Sequence, residues 1–246
     1  DRPRSLPRPG SGKRSSGRAD WVGTFAGGLN VFDPTSEKFE RVTTLSNVQT
    51  LRLDQQGFLW VGSMAEGLAK VDTSTLEVNY FPTEADNPSS PQDNNIHYLF
   101  EDRDGMIWVA TAMFGLARYD RETNQFFHYQ NDPKNIDSIA INNIASIYQD
   151  RGGVYWIGTT GQGVDRFDPF RNKFQHIFHE DDNPYSLIDN SVWSIFQDDQ
   201  ENLWIGTFNG LTEYESDGTV NHYVNNPDDP ESISQNQLSI AASVGR

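Results

Sequence analysis

Cysteine is absent from all 246 residues, which excludes disulfides, thiolate metal sites and a cysteine nucleophile, and fits either redox compartment. Long apolar runs are also missing. Nothing approaches the roughly 18 consecutive apolar residues of a membrane-spanning helix, and no stretch has the apolar core of a secretory signal. Positive charge is scarce: 19 Lys and Arg face 35 Asp and Glu, a formal net charge of −16. The scarcity is uneven. Residues 1–20 hold six basic and two acidic side chains, a local +4, so the other 226 residues carry −20. A body this acidic repels phosphate backbones and anionic lipid, which argues against nucleic acid or membrane as partners of this segment. The basic arm, rich in Pro, Gly and Ser, has the composition of a segment that builds no core and is expected to be disordered.

Aromatic residues, by contrast, are plentiful at 12%, with six Trp. Five of these, Trp21, Trp60, Trp108, Trp156 and Trp204, are spaced by 39, 48, 48 and 48 residues. Each opens one phrase, as in Trp60-Val-Gly-Ser and Trp156-Ile-Gly-Thr. A Gly-Leu or Gly-Val pair follows (Gly28-Leu29, Gly67-Leu68, Gly115-Leu116, Gly163-Val164, Gly210-Leu211), then an aromatic or apolar residue before an acid, as in Tyr119-Asp120. A repeat of this length must be found first, because it decides the fold.

Within one repeat the local signals predict four short strands. An apolar run such as Ile144 to Tyr148 comes first, and an acidic turn follows it. The Trp phrase is the second strand, and a Gly-bearing turn leads to Val164–Phe167 and then Phe174–Phe178. No segment sustains a 3.6-residue apolar period, so helices are not expected. Four antiparallel strands per repeat predict an all-β fold, a β-propeller of four-stranded blades with about five blades present. The Trp phrase is apolar throughout because both faces of that strand meet neighbouring blades, and its Gly permits their close approach. Burying one Trp removes about 150–250 Å², worth about 4–6 kcal/mol, so the five repeated Trp are expected as structural wedges between blades.

The full repeat, Val192-Trp-Ser-Ile-Phe-Gln-Asp198 with Asn202-Leu-Trp-Ile-Gly-Thr207, Gly210-Leu211 and Tyr214, resembles the two-component regulator propeller family. So do the connecting stretches, Asn131-Asp-Pro-Lys-Asn-Ile-Asp-Ser138-Ile with Asn142-Asn143 and Asp182-Asn-Pro-Tyr-Ser186-Leu with Asp189-Asn190. The resemblance runs from residue 21 to about 240 and departs at Ser63, in place of Thr, and at Ala110, in place of Gly. It implies a periplasmic, non-catalytic ligand-sensing module of a bacterial receptor, fused to a signalling domain, with an oligosaccharide or other small molecule as ligand. It also implies that the chain is part of a larger receptor. A scaffold that docks a protein or forms a homodimer is the alternative reading, and a carbohydrate-active enzyme a third.

The repeats divide the chain into an arm, 1–20, and blades at 21–47, 48–95, 96–143, 144–191 and 192–237, with 238–246 beginning a further strand. The first blade lacks its inner strand, and Ser232 to Ile240 repeats the start of a blade. Either this tail closes a five-bladed ring, or the chain is an open arc of a larger propeller, the preferred reading because the family is usually seven-bladed. The long connections between blades share one face with the short turn between second and third strands, and loops on a rigid scaffold are where binding sits. Candidate ligand contacts on that face are Glu66, Met113, Phe114, Gln162, Phe208 and Asn209 from short turns, with Asn94, Asn95, Asn142, Asn143, Asp189 and Asn190 from the connections. For the Asn residues a loop-fixing role competes. His128, His176 and His222 recur at blade spacing and are expected as surface residues of the outer strand. Asp102-x-Asp104-Gly105 lacks the Glu a Ca²⁺ loop needs and is a hairpin turn. No nucleophile–base phrase, metal-ligand spacing or phosphate loop is present, so no cofactor or metal is expected.

Overall fold

The computed structural model of the chain describes residues 20–84, 87, 89–169 and 173–238. They are all-β, arranged as five antiparallel sheets. The first has three strands, β1 (Asp20–Thr24), β2 (Gly28–Asp33) and β3 (Lys38–Thr43). The second has β4 (Val48–Leu53), β5 (Phe58–Ser63), β6 (Leu68–Asp72) and β7 (Val78–Phe81). The third is built of β8 (Ile96–Glu101), β9 (Ile107–Thr111), β10 (Leu116–Asp120) and β11 (Gln125–Tyr129). The fourth comprises β12 (Ile144–Gln149), β13 (Tyr155–Thr159), β14 (Val164–Asp168) and β15 (Lys173–Ile177). The fifth comprises β16 (Val192–Gln197), β17 (Leu203–Thr207), β18 (Leu211–Tyr214) and β19 (Val220–Tyr223). Within each sheet the strands pair in sequence order, as propeller blades do.

The core lies between blades. Four apolar clusters among the described residues join blade 1 to 2, 2 to 3, 3 to 4 and 4 to 5. Strand β9 is buried at every position, because one blade covers each of its faces. The Gly of the Trp phrase fits the first residue of the next blade's inner strand. A Cβ on Gly62 would lie 2.7 Å from Ile96 Cγ2, and one on Gly158 would lie 2.7 Å from Val192 Cγ1. Each complete blade also carries a bulge at the second residue of its inner strand, where the register slips between Val48 and Thr50, Ile96 and Tyr98, Ile144 and Ser146, and Val192 and Ser194. Such bulges bend a strand and increase its twist, which suits the innermost strands of a radial array.

The Trp wedges are unequal. Trp60 and Trp108 are fully buried, but Trp21, Trp156 and Trp204 are only half-buried. The reason is the neighbour each one meets, since only blades 3 and 4 present enough aromatic bulk to cover an indole. The basic arm, to residue 19, and residues 239–246 lie outside the described residues. The described part of the tail ends at Leu238, whose N–H donates to Thr207 O (3.1 Å). Its Cβ stands beside Gly206, where Ile96 stands beside Gly62 in the second blade.

Candidate functional site

The loop face is built from one repeated latch. The second strand ends in Thr or Ser, whose hydroxyl organises the turn that follows. Thr111 Oγ1 donates to Gly115 O (2.9 Å) and accepts the Phe114 N–H (3.0 Å). Thr159 donates to Gly163 O (2.8 Å) and accepts the Gln162 N–H (3.0 Å). Thr207 donates to Gly210 O (2.7 Å) and accepts the Asn209 N–H (3.3 Å). Ser63 accepts the N–H groups of Ala65 (3.0 Å) and Glu66 (2.9 Å) but donates to Ser46 O (2.7 Å) instead. The closing glycines are required by shape: Gly115 has φ +78° and Gly163 φ +74°, and a Cβ there would sit 2.3 and 2.1 Å from a strand carbonyl oxygen.

The long connections are tied to these turns. Asn94, Asn142 and Asn190 each accept at the main-chain oxygen the N–H of Gly67, Gly115 and Gly163, all at 2.9 Å. Asn142 Oδ1 accepts the Asn131 N–H (2.7 Å), Asn190 Oδ1 the His179 N–H (2.6 Å), and Asn94 Oδ1 the Thr83 hydroxyl (2.6 Å). These side chains are spent on holding the loop, the competing role recognised from sequence. Asn95 and Asn143 accept through their carbonyls the N–H groups of Ala112 and Thr160, both at 3.1 Å. Asp189 accepts the Ser191 N–H (2.7 Å) and the Asn209 side-chain amide (2.8 Å), fixing Asn209. Glu66 accepts the Ser46 hydroxyl.

The remaining candidates keep free side chains on fixed backbones. Met113 is 70% exposed while its N–H is held by Asp93 Oδ2 at 2.9 Å. Phe114 and Phe208 are 43% and 46% exposed. Gln162 is exposed too. Two further residues belong to this rim and were not among the sequence candidates: Phe25, 75% exposed, and Met64, 41% exposed. A signal for them existed. Both lie four residues after the phrase's Trp, the register of Phe208.

Two other features escaped sequence reading. The Asp six residues before each of four Trp accepts the indole N–H: Asp54 from Trp60 (2.8 Å), Asp102 from Trp108 (2.7 Å), Asp150 from Trp156 (2.8 Å) and Asp198 from Trp204 (2.8 Å). The other carboxylate oxygen holds the turn, as Asp102 Oδ1 does by accepting the Asp104 and Met106 N–H groups at 3.0 and 2.8 Å. The outer-strand histidines are likewise not simple surface residues. His176 Nδ1 lies 2.5 Å from Oδ1 of the fully buried Asp165, whose Oδ2 accepts the Ala140 N–H at 2.8 Å. Burial raises the Asp165 carboxyl above its ordinary range, against the lowering by the Ala140 N–H and His176. His222 Nε2 meets Ser186 O at 2.8 Å. Among the described residues neither nitrogen of His128 has a hydrogen-bond partner, and burial lowers its pKa. His176 and His222 meet main-chain oxygens of the connections, Ile136 O and Ser186 O, because each outer strand runs beside the loop of the preceding blade. Among the described residues no cluster of three or more acidic or His side chains is placed to hold a metal.

Comparison with known proteins agrees with this architecture. A family model described as two component regulator propeller matches residues 90–113, 138–161 and 186–209, each running from a connection through a Trp phrase. No curated protein sequence matches the chain. Among solved structures, the extracellular domain of a putative one component system from B. thetaiotaomicron is 22% identical with a TM-score of 0.72, over 90% of this chain and 28% of that one. The extracellular domain of a putative hybrid two component system from the same organism is 28% identical with a TM-score of 0.63, over 72% of this chain and 24% of that one. Virginiamycin B lyase from Staphylococcus aureus, at 13% identity and a TM-score of 0.62 over 85% of this chain and 67% of that one, shares the fold alone. The chain thus spans about a quarter of the length of the first two. Its third, fourth and fifth blades each carry one stretch similar to that family model.

Proposed function

From a chain built of these repeats, we propose a non-catalytic, extracytoplasmic ligand-sensing propeller of a bacterial signal-transduction receptor, which relays occupancy to a signalling domain fused to it. The carrying observation is the division of labour on the loop face. Hydroxyl latches and Asn side chains fix the backbone, while Met64, Met113, Phe114 and Phe208 keep exposed side chains. Preorganised apolar and aromatic side chains beside the exposed Gln162 amide are what a sugar ring needs, since its faces stack and its hydroxyls hydrogen-bond. An oligosaccharide is therefore the proposed ligand class. The two B. thetaiotaomicron proteins, described as extracellular domains, support placement outside the cytoplasm, and the periplasm is the proposed compartment.

Calorimetric titration of the chain against an oligosaccharide panel tests this. One class is expected to bind, with affinity falling at least ~10-fold in Phe114→Ala or Phe208→Ala. The melting temperature should stay within roughly 2 °C, because both rings are exposed. Binding by none of the panel, or binding indifferent to both substitutions, removes the oligosaccharide reading. The exposed apolar rim also supports a second reading, a surface that docks a protein or a second copy. Concentration-dependent association abolished by the same substitutions would favour that one.

A further inference from the structure

Among the described residues, the carboxylate that receives the Trp indole has a second partner from the next blade at two interfaces and none at the third. Between blades 2 and 3, Arg121 Nη1 donates to Asp54 Oδ2 at 2.9 Å, and the Tyr119 ring lies 5.0 Å from that of Trp60. Between blades 3 and 4, the Tyr155 hydroxyl donates to Asp102 Oδ2 at 2.8 Å, with its ring 4.7 Å from Trp108. Tyr129 stacks on the other side of that indole, 5.5 Å away. Forty-eight residues on, Leu203 stands where Tyr155 stands in the repeat, and Ile177 where Tyr129 stands. Ring and hydroxyl are both lost. A solvent-connected cavity of about 220 Å³ opens between blades 4 and 5, walled by Asp150, Trp156, Ile177, Gln197, Glu201, Leu203 and Tyr214.

Beside the polar Gln197 and Glu201, the remaining walls match the surroundings of the missing side chain. Trp156 offers a half-buried indole, Ile177 and Leu203 are aliphatic, and Asp150 Oδ2 holds the Trp156 N–H at 2.8 Å, as Asp102 holds that of Trp108. The Tyr214 hydroxyl is buried with no partner among the described residues, and burial pushes its pKa up to about 12, so it remains a neutral donor. Apolar cavities of about 150 Å³ take up benzene, so the room suffices for one substituted ring.

We propose that this inter-blade slot binds a small phenol, its ring against Trp156 and its hydroxyl donating to Asp150, in the manner of Tyr155 against Trp108 and Asp102. The slot lies at the Asp-turn end of the strands, opposite the Thr latches, so it is independent of the loop-face reading. A cavity without an acceptor prefers toluene to a phenol, because the phenol must give up its hydrogen bond to water. The carboxylate reverses this order.

The test is titration of the ¹⁵N-labelled chain with p-cresol and with toluene, following the Trp indole N–H resonances. The Trp156 resonance is assigned by its loss in Trp156→Phe. p-Cresol is expected to shift Trp156 saturably, leave Trp60 and Trp108 in place, and bind at least ~10-fold more tightly than toluene. Leu203→Tyr supplies the ring from within. It should abolish p-cresol binding and raise the melting temperature by roughly 2–4 °C. The proposal is overturned if toluene binds as well as p-cresol, if Trp156 does not respond, or if a folded Leu203→Tyr variant still binds p-cresol. Should that variant not fold, the p-cresol to toluene ratio on the unaltered chain decides alone.

Discussion

The interface between blades 3 and 4 and the one between blades 4 and 5 are built from the same phrase, yet they are packed differently. In the first, Trp108 is 1% exposed and surrounded by the rings of Tyr129, Tyr155 and Phe167. In the second, Trp156 is half-buried and meets Ile177, Leu203 and Tyr214 instead. The blade fold tolerates both because the backbone ladder and the Thr latch are the same in the two, even though Ala110 stands in the first where Gly158 stands in the second. What varies is the filling. A repeat motif therefore specifies where a wedge stands, and the next blade decides how far it is buried.

The largest expected effect measures that contrast. Trp108→Ala should destabilise the chain by about 3–5 kcal/mol, with a cavity left among rigid rings, whereas Trp156→Ala should cost about 2 kcal/mol because part of its surface already faces water. Equal losses in urea denaturation would break the comparison.

The Asp that receives the indole sharpens it further. Asp102 accepts the N–H of Trp108 and the hydroxyl of Tyr155 on one oxygen and two turn N–H groups on the other. Asp102→Asn leaves a buried donor facing the amide nitrogen in either orientation, a loss of about 2–3 kcal/mol. Asp150→Asn, beside the solvent-connected slot, should cost about 1 kcal/mol. Paired denaturation curves check the ratio; a larger loss at Asp150 would contradict it.

The smallest effect is in pH. Burial lowers the pKa of His128, in blade 3, from its ordinary 6.5, so folding favours the neutral ring. Its contribution is present above 6.5 and is lost as pH falls from there through the folded value. Asp165, in blade 4, has the opposite sign: its raised carboxyl contributes at low pH and loses that contribution as pH rises through the folded value. Melting temperatures between pH 7.5 and 5.5 should therefore fall less in His128→Gln than in the unaltered chain. A profile unchanged by the substitution would remove His128 as a source of the slope.

How much of this was legible in the sequence varies with the range of the interaction. The Gly-Leu pair after each Trp phrase announces its turn locally, since only Gly takes the positive φ at positions such as Gly115. The Asn of each connection announced a loop tie, and Asn142 and Asn190 make one. The Asp–Trp pair was written in the sequence at a constant spacing of six but carries no local signal, because the carboxylate and indole meet only when two strands fold back on each other. The histidine contacts were hidden for the same reason: His176 bonds Asp165 across a strand pair and Ile136 in a connection. Phe25 and Met64 were legible by register alone, and only their exposure shows that the fold leaves them free.

The sequence by itself determined the all-β character, the 48-residue period, the four-strand repeat and the face that carries the loops. Each follows from signals within one repeat, through short apolar strand runs, glycine turns and the recurring Trp phrase. The tertiary structure alone decided which Trp are covered, which loop residues are spent as ties, and where a slot remains. Those outcomes depend on the side chains of the next blade, such as Tyr155 against Trp108 and Leu203 against Trp156, which a repeat considered singly does not contain.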